Sequence, residues 1–133
     1  MNNNKGKIMT DEQIGKAFLE CEDHWIWLPG MLPLARDADG DWVAEERVWR
    51  SQGGHLSVGD QHIPDITDPI TAWGTLELVK RAGAFIIKLS VLPMGCNLIV
   101  EWPDSIIDSY RGKTLAEITL QALSDAQDRG YKQ

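Results

Sequence analysis

The sequence predicts an α+β domain, in which about three helices pack a small antiparallel sheet. Two observations carry this expectation. Apolar residues recur at helical spacing in three capped stretches, and short β-rich runs flank turn signals at Asp39-Gly40 and at Pro93 to Asn97. At 133 residues, with 43% hydrophobic and 25% charged residues, the chain suits one domain with an ordinary core. Residues 1–9 read as a loose leader and 10–133 as the single α+β domain.

The first helix opens at "TDEQIGKAFLECED". Thr10 can cap it, Gln13 completes a capping box, and Asp11 and Glu12 suit the positive end of the helix dipole. Ile14, Ala17, Phe18 and Cys21 make its apolar face. "HWIWLPG" follows, with Trp25 to Leu28 expected as a strand that Pro29-Gly30 ends. On such a strand Trp25 and Trp27 share a face. They are core if that face meets a helix, and an aromatic partner site if it meets solvent.

"MLPLARDADGDWVAEERVWR" is ambiguous in period. The Asp39-Gly40 turn favours a hairpin of Met31–Arg36 and Trp42–Trp49, since Val43, Val48 and two Trp suit strands. The rival is a helix from Asp41, stopped by Gly53-Gly54. A Gly-rich connection leads to "TDPITAWGTLELVKRAG". There Thr67 or Asp68 caps, Pro69 starts, and Gly83 ends the clearest helix. Ile70, Trp73 and Leu76 fall one turn apart as its expected apolar face, and Gly74 marks close approach of another backbone. "AFIIKLSVLPMGCNLIVEWP" reads as a hairpin, with Phe85, Ile87, Leu89 and Val91 alternating on one face and Leu98, Val100 and Trp102 on the partner strand. "DSIIDSYRG" reads as a loop. The last helix starts after Thr114, with Glu117 completing a second capping box, and buries Leu115, Ile118, Ala122 and Leu123 up to Gly130.

Several stretches resemble a family of small phage and prophage proteins, of the phage αβα-sandwich type. "IPDITDPITAWGTLELVKRAG", Ile63 to Gly83, is similar to their Pro-Asp-Leu-x-Asp-Pro-x-Thr segment and Leu- and Val-rich helix. "WIWLPGM" and the tail from "VEW" to "GKTLAEITLQAL" match in style. The resemblance implies a phage or prophage origin. It brings no activity and no catalytic residues. The cytoplasm of the host cell is the expected setting, read from the polar N-terminus and the lack of a membrane-span run.

Charge narrows the function classes. A net charge of -7 and a pI of about 4.8 argue against nucleic acid and anionic membranes, whose binding needs clustered cations. They fit solubility or a basic partner, such as a nucleic-acid-binding complex. The leader has no apolar signal core, and no run approaches the ~20 apolar residues of a membrane span. Cys21 and Cys96 are expected as buried free thiols in a reducing cytosol.

No catalytic constellation emerges, so the protein is expected not to be an enzyme, and no cofactor is expected. The weak metal candidates Cys21, His24, His55 and His62 lack zinc-site spacing. "DADGD" sets Asp37, Asp39 and Asp41 at alternate positions, but Trp42 and Val48 stand where a calcium loop needs Gly and Glu. The candidates for binding are Trp25, Trp27, Trp42, Trp49, Glu45 and Glu46. Six tryptophans in one small domain put at least one near the surface, and Trp is enriched where interfaces concentrate their energy. The leading expectation is a phage accessory protein that binds a host or phage protein, inhibiting a defence nuclease complex through its acidic surface. The alternatives are a self-assembling homodimer or larger structural oligomer, and a small-ligand or metal-binding module.

Overall fold

The computed structural model describes residues 9–48 and 61–131. Among these are three helices and six strands, arranged as an α+β fold with two three-stranded antiparallel sheets. The first sheet has the order β2-β1-β3, from β1 (Pro33–Arg36), β2 (Trp42–Ala44) and β3 (Ile63–Pro64). The second has the order β4-β5-β6, from β4 (Phe85–Leu92), β5 (Gly95–Glu101) and β6 (Ile107–Gly112). The helices are α1 (Asp11–Glu20), α2 (Pro69–Arg81) and α3 (Leu115–Arg129).

The helices form where capping chemistry predicts. Thr10 and Gln13 close a reciprocal capping box on α1. Asp68 caps α2 by accepting from the Thr71 N–H. Thr114 caps α3, but its expected box is not reciprocal, because Glu117 accepts from the Lys113 N–H instead. Gly130 ends α3 in the left-handed conformation at φ 73°. α3 is the centre of the molecule. It packs against α1, α2, β5 and β6, and eight of its fifteen residues are buried.

Six further expectations need correction. Trp25 to Leu28 is not a strand. The His24 and Trp25 N–H groups both bond back to the Cys21 carbonyl, and Met31 bonds back to Leu28, so the backbone turns rather than extends. "DSIIDSYRG" is not a loop, because Ile107–Gly112 pairs with β5 in register Leu98↔Tyr110. Its polar residues alternate with a single buried Tyr110, which leaves little apolar signal. The Gly-rich connection also ends in a strand, β3, which pairs with β1 through Leu34↔Ile63.

The other three corrections concern two faces and one close approach. α2 buries Thr71, Thr75, Leu78 and Val79, not Ile70 and Trp73, which are exposed. Threonine hydroxyls can face inward here because Thr75 and Thr119 bond one another at 2.7 Å between α2 and α3. The close neighbour of Gly74 is a side chain, not backbone: a Cβ there would sit 2.8 Å from the Met31 methyl. In β4 a bulge between Ile86 and Lys88 resets the alternation. Phe85 and Ile87 are therefore exposed, while Ile86 and Leu89 pack on the core. No helix among the described residues is long and apolar enough to cross a membrane.

Candidate functional site

The hairpin predicted around Asp39-Gly40 forms, with register Leu34↔Ala44 and Arg36↔Trp42. Asp37 builds its turn. Its carboxylate accepts from the Asp39 and Asp41 N–H groups at 2.9 Å each, and Gly40 supplies φ 85°. Past Ala44 the chain stays tied to β1 and to the turn before it by the bonds Glu45 N–H to Pro33 O and Val48 N–H to Met31 O. Five carboxylates, on Asp37, Asp39, Asp41, Glu45 and Glu46, thus ride on one short exposed loop and strand.

The arginines of this hairpin do not offset them freely. Arg36 donates to Glu12 of α1 at 3.1 Å and to the Gly40 carbonyl, and lies 4.4 Å over the Trp42 ring. Glu12 also holds Lys16 at 2.8 Å, and that ammonium is the main reason its carboxyl sits below the ordinary range. Arg47 donates through both guanidinium nitrogens to Asp68 at 2.7 Å each. That fork, followed by the Thr71 N–H and hydroxyl, lowers the Asp68 carboxyl to about 2 against the cost of its burial. Arg47 is neutralised by Asp68 and Arg36 shares Glu12 with Lys16, so both arginines are engaged by acids outside the loop, whereas the side chains of Asp39, Asp41 and Glu46 bond to nothing among the described residues.

A groove of about 470 Å³ runs between the hairpin and α1, with Lys16, Leu19 and Glu20 on one side and Arg36, Trp42 and Ile63 among its other lining residues. The Trp42 indole N–H is buried at its wall and meets no acceptor in full hydrogen-bond geometry among the described residues, though it adds to Lys16 in lowering the Glu12 carboxyl.

The predicted binding residues therefore separate into two groups. Trp42, Glu45 and Glu46 share the hairpin, with Glu45 3.8 Å from His62. Trp25 and Trp27 lie elsewhere, in edge-on contact at 5.3 Å, with Trp25 5.6 Å from Phe18, and both pack against the core. Trp49 and His55 lie outside the described residues. Cys21 and His24 are both buried, and no cluster of three metal-ligating side chains occurs among the described residues. Burial pushes the Cys21 thiol above its usual range. Arg47 with Asp68 and Arg36 with Glu12 were not anticipated as pairs, because partners 21 and 24 residues apart leave no local pattern. No protein-family model matches the chain, and no curated protein and no solved structure is found similar to it.

Proposed function

We propose that the protein is a non-catalytic accessory domain that works by binding another protein, with the acidic hairpin set against a basic surface. The observation that carries this is the engagement of Arg36 and Arg47 by Glu12 and Asp68, acids outside the hairpin. It leaves the Asp39, Asp41 and Glu46 carboxylates, without an ion pair among the described residues, as a negative patch on a chain of net charge -7. The groove beside Trp42 adds a half-apolar recess for a partner side chain. Opposed potentials of this kind steer encounter and select partners. The resemblance of Ile63 to Gly83 to phage and prophage proteins supports a host complex as the target. A defence nuclease with a basic nucleic-acid groove is the specific form we favour.

The test is co-purification with, and inhibition of, host nuclease complexes by the wild type and by an Asp39→Asn, Asp41→Asn, Glu46→Gln triple variant. The triple variant should bind at least ~10-fold more weakly, and wild-type binding should weaken with added salt. A wild type that neither co-purifies with nor inhibits such complexes removes the defence reading. A triple variant that binds as well as wild type removes the hairpin as the site.

A further inference from the structure

The second sheet has two unlike edges. β6 is guarded: Asp108 pairs with Arg129 at 2.7 Å, the Gln121 side chain donates to the Arg111 carbonyl, and α3 packs alongside. β4 lies at the other edge of the sheet, and its outer side pairs with no strand among the described residues. It is eight residues long, carries one cation, Lys88, and no acid. Its apolar side chains are exposed on both faces. On the side toward the helices Val91 is 48% exposed, and on the bare side Phe85 is 69% and Leu92 62% exposed. Met94, at the hairpin tip, is 95% exposed. A long, largely apolar edge whose guards are one lysine and one bulge still offers five regular residues, Lys88–Leu92, as a template for another strand.

We propose that this strand is β4 of a second copy, paired antiparallel about a two-fold axis at Ser90 to make one six-stranded sheet. The bulge confines regular pairing to Lys88–Leu92. Within that run Lys88, Ser90 and Leu92 point to the bare face, and Leu89 and Val91 point to the helices. An axis at Ser90 sets Leu89 opposite Val91 of the mate and Lys88 opposite its Leu92, so every pair shares a face. An axis at Lys88 would oppose two ammonium groups. The Ser90 register places the two Lys88 side chains at opposite ends of the ladder. It also lays the tip of each copy, Leu92 and Met94, beside Ile87 and Phe85 of the other. The exposed groups at the two ends of one strand thus cover each other, the self-complementarity that a closed two-fold interface requires.

Ser90 makes the axis testable, because a change there is met by itself in the mate. Sedimentation of the wild type from about 5 to 200 μM should show a monomer–dimer equilibrium, as expected for a small interface. Ser90→Lys and Ser90→Glu, each checked for folding by circular dichroism, should both be monomeric at the top of that range. Mixing them should restore a dimer. Ser90→Cys should cross-link under mild oxidation faster than an Asp39→Cys control on the acidic hairpin, while Cys21 and Cys96 stay buried. A wild type that is monomeric throughout, or a Ser90→Cys rate equal to the control, overturns the proposal. So does binding of an unrelated extended peptide along β4 by a monomeric wild type. The Asp39→Asn, Asp41→Asn, Glu46→Gln variant should dimerise as wild type does, so failure here and failure of the hairpin reading are distinguishable.

Discussion

Asp68 holds together parts that are remote in sequence. Its carboxylate caps α2, accepts the Thr71 hydroxyl and grips the Arg47 guanidinium at the end of the hairpin. Asp68→Ala removes the cap and strands Arg47. It should cost about 2–3 kcal/mol in chemical denaturation, a figure discounted for the half-exposed arginine. The pH dependence has a definite sign. The carboxyl titrates near 3.8 when unfolded and at about 2 when folded. Its contribution, on the order of 2 kcal/mol, is therefore complete above that unfolded value and is lost as pH falls from about 4 through about 2. Asp68→Asn should flatten the acid-unfolding curve in that window. His24 is the opposite case: 2% exposed, with neither ring nitrogen bonded among the described residues. An unpaired buried polar ring costs free energy, so His24→Leu should raise stability by about 1 kcal/mol in thermal or urea unfolding. The cap at Asp68 was legible from "TDP", because capping is local chemistry. The grip on Arg47 was not, because only folding brings the hairpin to that helix end.

At the scale of elements, the junctions decide where side chains face. α2 hands over to β4 through Gly83 at φ 109°, where a Cβ would lie 2.8 Å from Pro103. Gly83→Ala should therefore destabilise by about 2 kcal/mol, read from the urea midpoint. The helices were legible because 3.6-residue periodicity and caps are both written locally, as in Thr10 with Gln13 and Ile14 with Phe18. The face of α2 was not. Thr71 and Thr75 look polar in sequence, yet each hydroxyl has a partner when buried, Asp68 for one and Thr119 for the other. β6 was missed for a related reason: Asp108 and Tyr110 face inward but are bonded, to Arg129 and Asp125. The β4 bulge shifts the pattern by one residue, so Phe85 and Ile87 fall on the exposed side of an alternation that otherwise reads as continuous.

At the scale of the whole molecule, the acidic hairpin and the apolar edge lie on different sheets: the hairpin belongs to the first, and the exposed apolar edge and tip belong to the second. The hairpin carboxylates on Asp39, Asp41 and Glu46 support no ion pair among the described residues. The triple neutral variant should therefore stay within about 0.5 kcal/mol of wild-type stability in thermal denaturation, or gain slightly from reduced self-repulsion. That makes any loss of binding attributable to the surface rather than to the fold. The amino-acid sequence by itself determined the α+β class, the three capped helices, the Asp39-Gly40 hairpin and the acidic balance, since each rests on local spacing or on composition. Only the tertiary structure decided the split into two sheets, the inward threonines, the arginine ion pairs and the bare β4 edge. Each of these depends on which distant groups meet, and a hydroxyl, a guanidinium or a strand edge looks the same in sequence whether or not its partner arrives.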